Sequence, residues 1–185
     1  ARVAARADGV TLVSPEQRLD ELRAHVANDS LQAAPRARVK RGEANAIISA
    51  GNTGALLTAS HLKLRTLEGV DRPGLAALIP APENVFVLMD AGANLEPHPS
   101  NLVQYALMGS MYSKQILGYA NPRVAVLSIG TEEMKGNELT LEAYRLLKQT
   151  DLNFIGNIDG HDLFSNIADV IVTDAFVGNA VLKAC

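Results

Sequence analysis

Short runs of apolar, mostly β-branched residues recur along this chain, each closed by a loop of glycine, asparagine or aspartate and followed by a stretch of helical period. Residues 46–48, 75–79, 85–89, 124–129, 153–155 and 170–172 read as strands. Several are apolar at every position rather than at alternate ones, so both faces of their sheet must be covered; parallel strands between helix layers meet that condition. The pattern predicts an α/β fold, a doubly wound, mostly parallel sheet with helices on both faces. At 185 residues it fits one domain over 1–185.

The local signals agree. A strand is expected at 10–13, then Ser14-Pro15-Glu16-Gln17 starts a helix whose apolar face carries Leu19, Leu22 and Val26. The Ala-rich, basic stretch 27–41 has Pro35 in its middle and predicts helical pieces around a break. A helix is expected over 55–66. Pro80-Ala81-Pro82-Glu83-Asn84 separates two apolar runs and predicts a hairpin beside the main sheet. Leu102, Tyr105, Ala106, Gly109 and Tyr112 lie at helical spacing behind a Ser100 cap, and Leu139, Ala143, Leu146 and Leu147 mark a further helix.

Composition excludes more than it selects. Net charge is −3 with mixed signs, there is no Trp, and aromatics make up 4%, so neither phosphate-backbone attraction nor base stacking points to a nucleic-acid partner. No run approaches the roughly 20 apolar residues of a membrane span, and no leader pattern appears. The lone Cys185 fits a reducing compartment, so a cytoplasmic protein is expected. The chain opens on Ala1 and stops inside an apolar run, which reads as incomplete at both ends.

The loops carry the chemistry. Ser49-Ala50-Gly51-Asn52-Thr53-Gly54 follows the 46–48 run, Asp90-Ala91-Gly92-Ala93-Asn94 follows Met89, and residues 130–137, with Glu132, Lys135 and Asn137, follow Ile129. Gly156-Asn157 follows Ile155, and residues 173–179, with Asp174 and Asn179, follow Val172. In a parallel sheet these loops leave from one edge, where open α/β sheets bind ligands. Glycine and asparagine let backbone N–H groups converge on an anion, phosphate above all. The same residues also serve βα turns for purely local reasons.

Familiar alternatives do not fit. Gly51 to Gly54 gives G-x-x-G rather than G-x-G-x-x-G, and neither a P-loop nor a G-x-S-x-G elbow occurs. His25, His61, His98 and His161 lack metal-ligand spacing and read as surface or capping residues. Lys135 is either a phosphate partner or a solvated loop lysine, and Arg72 either an anion contact or half of a salt bridge. Asp90 and Asp174 either orient donors or cap the next helix, the cap being favoured for Asp174.

At these same segments the sequence resembles the PlsX family of phosphate:acyl-ACP acyltransferases. The matching stretches are 49–55, Asp71-Arg72-Pro73, 90–94, 104–109, Pro122-Arg123-Val124, 129–132 with Lys135-Gly136-Asn137, Phe154-Ile155-Gly156-Asn157, and Asp174 with Phe176-Val177-Gly178-Asn179. They run in the family's order from about 39 to 183, whereas 1–38 matches only loosely.

The resemblance implies a fold related to phosphotransacetylases and to the isocitrate and isopropylmalate dehydrogenases, a homodimer, and no cofactor. It implies transfer of an acyl group from acyl carrier protein to inorganic phosphate, giving acyl phosphate for phospholipid synthesis. It further implies a cytoplasmic enzyme that touches the inner face of the membrane through a segment beyond this chain. The family's opening Asp-Ala-Met-Gly-Gly-Asp loop is absent here, and Ala175 stands where the family usually has Gly.

A direct attack of phosphate on the thioester is expected, with Lys135, Asn52 and Asp90 as catalytic residues. Ser49, Gly51, Thr53, Gly54, Arg72, Asn94, Glu132, Asn137, Asn157, Asp174 and Asn179 are expected to bind phosphate or substrate. Two rival readings stay open: a short-chain acyltransferase acting on acyl-CoA, and a non-catalytic scaffold for lipid-synthesis enzymes.

Overall fold

The computed structural model describes residues 6–7, 10–11, 38–45 and 53–185. It divides into two compact units, Ala1–Arg65 and Thr66–Cys185. In the first, β1 (Arg6–Ala7) pairs antiparallel with β2 (Val10–Thr11), within the strand expected at 10–13. Helix α1 (Thr53–Leu64) begins two residues earlier than the expected 55. It carries His61 and Lys63 in its last turn, where positive charge suits the helix dipole. The helix expected after Ser14, the Pro35 break, the 46–48 strand and the loop residues Ser49, Gly51 and Asn52 lie outside the described residues.

The second unit is built on a five-stranded sheet. Its strands are β3 (Ala76–Pro80), β4 (Val85–Met89), β5 (Val124–Leu127), β6 (Phe154–Ile158) and β7 (Val170–Val172), in the order β3-β4-β7-β5-β6. β4, β7, β5 and β6 run parallel, and only β3 is antiparallel. The Pro-rich turn does make a hairpin, but the hairpin is part of the sheet: β4 joins the parallel set and β3 becomes its edge. Edge strands tolerate proline because no neighbour needs its missing N–H, which is consistent with Pro80 at the end of β3.

Helix α2 (Pro99–Tyr112) starts at His98, not Ser100; Pro99 occupies the first helical position, and Asn101 Oδ1 accepts from the His98 N–H at 2.9 Å. Five further residues, Ser113–Leu117, form a π-turn that ends at Gly118. Helix α3 (Glu138–Leu147) follows β5, and α4 (Ala175–Ala184) follows β7. Strand β5 stops at Leu127 rather than at the expected 129, leaving Ile129 in solvent. Strand β6 runs on to Ile158, which places Gly156 and Asn157 within it instead of in a loop.

Both sheet faces are covered, as continuous apolar strands require. On one face Val87, Met89, Val124, Val126, Val170 and Val172 meet Leu102, Tyr105 and Ala106 of α2 and Ala143 and Leu147 of α3. On the other, Phe86, Leu88, Ala125, Leu127, Ile158 and Ile171 meet Ile79, Leu163 and Val181 of α4. Fully burying one such side chain stabilises the fold by about 1.5–3 kcal/mol. The main chain thus leaves its loops at the carboxyl ends of β4, β7, β5 and β6, side by side on one edge.

The opposite, amino-terminal edge is locked by side chains. Arg123, just before β5, donates from Nε to Asp169 Oδ2 at 3.0 Å and from Nη2 to Asp169 Oδ1 at 2.8 Å, while its Nη1 donates to the Asn166 carbonyl at 2.6 Å. Asn84 Nδ2 donates to the Ala168 carbonyl, and the Tyr119 hydroxyl bridges the Val85 N–H and C=O. Among the described residues no helix is long and apolar enough to cross a membrane.

Candidate anion site at the carboxyl edge

The corner after β4 is organised by Asp90, which is fully buried. Its Oδ1 accepts from the N–H groups of Leu75, Gly92 and Ala93 at 3.0, 3.2 and 2.9 Å, and its Oδ2 accepts from the Asn94 N–H and Nδ2 at 2.9 and 3.0 Å. Five donors fill the acceptor sites of the carboxylate. Asp90 therefore shapes the 90–94 loop from within, joining it to the entry of β3; its contacts are those of a loop organiser, not of a group that meets substrate. The Met89–Asp90 peptide bond is cis.

Asn94 is drawn into the same knot. Its Nδ2 also reaches the Pro73 carbonyl at 2.7 Å and the Tyr105 hydroxyl at 2.8 Å. Burial, reinforced by the Asp90 charge, pushes the Tyr105 phenol well above its ordinary range, so it remains protonated. The exposed Arg72 pulls that phenol in the opposite direction through its charge, which puts the guanidinium within electrostatic reach of this corner. The turn that carries Arg72 is held by Gln104, whose Oε1 accepts from the Asp71 N–H at 3.1 Å and whose Nε2 donates to Asp71 Oδ2 at 2.8 Å.

Helix α4 closes onto this corner. Asp174 is its N-cap, with Oδ1 accepting from the N–H groups of Phe176 and Val177 at 2.8 and 3.0 Å; this is the capping role favoured from the sequence. The Ala175 N–H donates to the Asn94 carbonyl at 3.3 Å. Gly178 lies so close to β4 that a Cβ there would sit 1.9 Å from the Asp90 carbonyl oxygen, a contact no other residue allows. One position on, Asn179 is half-buried, and a Cβ on Gly92 would lie 3.7 Å from its Oδ1. The Asn179 amide makes no hydrogen bond to the described residues and lies beside the 90–94 loop.

The loop after β5 forms the other half of the edge. Asn137 caps α3: its Oδ1 accepts from the Thr140 N–H at 2.9 Å and its N–H donates to Thr140 Oγ1 at 3.0 Å, which accounts for its placement without a ligand. Gly136 sits at φ +131, where a Cβ would lie 2.1 Å from Thr140 Oγ1. Asn157, reaching up from β6, donates from Nδ2 to the Glu132 carbonyl at 3.0 Å and toward the Lys135 carbonyl at 3.4 Å. Glu133 pairs with Lys148 at 3.1 Å. Lys135 is exposed and has no ion-pair partner among the described residues; Glu132 is exposed beside it.

Two clusters thus meet along adjacent strands. Arg72, Asp90, Asn94, Asp174 and Asn179 gather around the ends of β4 and β7, and Glu132, Lys135, Asn137 and Asn157 around the ends of β5 and β6. Pairing of β7 with β5, Val172 opposite Val126 after Val124 opposite Val170, sets the two groups side by side. Lys135, Arg72 and Asn179 can face an anion; Asp90, Asn94, Asn137, Asn157 and Asp174 spend polar atoms on the scaffold. Thr53 and Gly54 are exposed at the start of α1, in the other unit. Among the described residues no three His, Cys, Asp or Glu side chains come together as a metal site.

Residue type gives no particular role to Tyr105, Ser128 or Thr140, and gives Gly178 only as part of the 173–179 loop. Tyr105 and Thr140 looked like ordinary helix residues and Ser128 like part of a strand. A glycine one turn inside a helix, four residues after an Asp cap, was the available signal for Gly178.

The model of a family described as fatty acid synthesis protein matches residues 11–185. The phosphate acyltransferase of Heliobacterium modesticaldum is 54% identical over 145 residues, 78% of this chain and 43% of that protein. That of Bacillus licheniformis is 52% identical over 146 residues, covering 78% and 44%. The chain spans less than half the length of these relatives.

Among solved structures, a branched-chain phosphotransacylase from Enterococcus faecalis V583 superposes with a TM-score of 0.64 at 20% identity, covering 83% of this chain and 63% of that one. EutD phosphotransacetylase from Staphylococcus aureus gives a TM-score of 0.60 at 20% identity, covering 83% and 54%. These two share the fold, a doubly wound α/β sheet. With the family model matched over nearly its whole length and relatives at half identity, the chain belongs to the fatty acid synthesis protein family, the PlsX family to which its motifs pointed.

Proposed function

We propose that the enzyme carrying this chain transfers an acyl group from acyl carrier protein to inorganic phosphate. The reading is carried by one observation: at the carboxyl edge of a sheet with the phosphotransacylase fold, Lys135 projects from the loop after β5 with no ion-pair partner among the described residues, and the Asn179 amide projects from α4 with no hydrogen bond among them. Curated relatives at half identity bear the name phosphate acyltransferase.

Phosphate is held by Lys135, Arg72 and the Asn179 amide. A phosphate oxygen forms a bond to the thioester carbonyl carbon, the C–S bond breaks, and the thiolate leaves to take up a proton. Holding both reactants removes the entropy of their encounter, and the fixed donors stabilise the tetrahedral oxyanion. No covalent bond to the enzyme is needed. The product, acyl phosphate, feeds phospholipid synthesis; the working enzyme is a homodimer in the cytoplasm that touches the inner face of the membrane.

The test is phosphate-dependent release of the acyl carrier protein thiol, wild type against Lys135→Ala. Loss of a charged donor to the oxyanion is expected to slow release by about 100-fold, with melting unchanged. Unaltered turnover would remove Lys135 from the site. Faster turnover of acetyl-CoA than of long-chain acyl carrier protein would favour a short-chain enzyme, and no thiol release with either would favour a scaffold.

A further inference from the structure

We infer that Asn157 and Ser128 are positioning residues, a two-point clamp on the backbone of the turn that presents Lys135. The inference rests on the reading of Lys135 as a phosphate ligand. Two side chains from two different strand ends converge on the Lys135 carbonyl: Ser128 Oγ donates to it at 2.9 Å from the end of β5, and Asn157 Nδ2 reaches it at 3.4 Å from β6. The same Nδ2 holds the Glu132 carbonyl at 3.0 Å, and the Lys135 N–H closes the turn on that carbonyl at 3.0 Å. Gly136 follows at φ +131, with its would-be Cβ 2.9 Å from Ser128 Oγ, so the turn is locked on the far side of Lys135 as well.

The unused half of the Asn157 amide shows what the residue is for. Asn157 is only 6% exposed, and its Oδ1 is buried without a hydrogen-bond partner. A buried unpaired acceptor is costly. Turning the amide over would face that oxygen toward two carbonyls and lose both donors. The strand therefore keeps an asparagine whose polar atoms serve the loop above it, at the expense of one acceptor below. A lysine ammonium rides on four flexible bonds, so a fixed backbone is the main means of aiming it, and a misplacement of about 1 Å at a reacting group can cost 100-fold in rate.

A double-mutant cycle separates this role from general support of the fold. Asn157→Ala and Ser128→Ala are each expected to lower phosphate-dependent thiol release roughly tenfold in the whole enzyme, with a raised KM for phosphate and Ser128→Thr close to wild type. In a Lys135→Ala background the same changes should cost less than about twofold, because the aimed group is gone. Multiplicative losses in that background, or full activity in folded Asn157→Ala, would overturn the clamp while leaving Lys135 in place. Should Lys135→Ala itself be silent, the site reading and the clamp fall together. If Asn157→Ala does not fold, the cycle of Ser128→Ala with Lys135→Ala decides on its own.

Discussion

The two edges of the parallel sheet use the same residue types for opposite ends. At the amino edge Arg123, Asn166 and Asp169 satisfy one another, and Tyr119 and Asn84 tie down the start of β4 and the entry to β7. At the carboxyl edge carboxylates and amides are equally committed, but to loops: Asp90, Asp174, Asn137 and Asn157 hold backbone N–H and C=O groups. What remains unspent there, among the described residues, is Lys135, Arg72, Glu132 and Asn179.

The largest effect expected from breaking this contrast is at Gly178. Gly178→Val would drive a side chain into the Asp90 carbonyl and lift α4 from the 90–94 loop. A loss of at least about 3 kcal/mol in urea unfolding is expected, with thiol release abolished; a stable, active variant would show that the two loops do not need each other.

Next comes the amino edge, where Arg123→Met strands the Asp169 carboxylate against the sheet. With the Arg123 side chain 36% exposed and the backbone N–H of residue 123 still donating to Asp169, it should destabilise by about 2 kcal/mol, yet leave kcat of the folded fraction intact. A selective loss of kcat would mean that the two edges are not separable.

Acid sharpens the same point. Burial pushes the Asp169 carboxyl up, but the hydrogen bonds and charge of Arg123 outweigh it and hold the carboxyl below the ordinary value of 3.8. A depressed folded pKa contributes stability above the unfolded value and loses it as pH falls through the folded one. The stability gap between wild type and Asp169→Asn should therefore be widest near neutrality and shrink below about pH 4, as thermal melts across that range would show; a gap that grows in acid would contradict the assignment.

The smallest effect is expected at Asn137→Ala, about 1 kcal/mol from the lost cap of α3. It should show in melting and barely in turnover. A large rise in KM for phosphate would instead return Asn137 to the ligand-binding set.

Much of the fold is legible in the sequence because continuous burial leaves a continuous apolar signature. The runs at 85–89, 124–129 and 170–172 are central strands, and the helix faces at Leu102, Tyr105 and Ala106 and at Ala143 and Leu147 are the ones that meet the sheet. Errors collect where that signature is interrupted. Ile129 extends the run in sequence yet projects from a loop, 79% exposed, while Gly156 and Asn157 look like a turn and are strand. The β5–β6 ladder recruits them regardless of propensity.

The site was less legible, for a related reason. Residue types named the edge, since Asp, Asn and Gly crowd the ends of strands whether they bind a ligand or build a turn. Which of them do which depends on where their hydrogen-bond partners lie, and those partners come from far along the chain: Leu75 for Asp90, Glu132 for Asn157.

By itself, then, the sequence determined the layering of the second unit, the edge on which its loops gather and the family to which the chain belongs, because apolar pattern and motif order are properties of the linear chain. Tertiary structure alone decided that Asp90 and Asn157 are occupied while Lys135 and Asn179 are available. Availability is a matter of which donors and acceptors meet in space, and no local stretch of sequence contains that information.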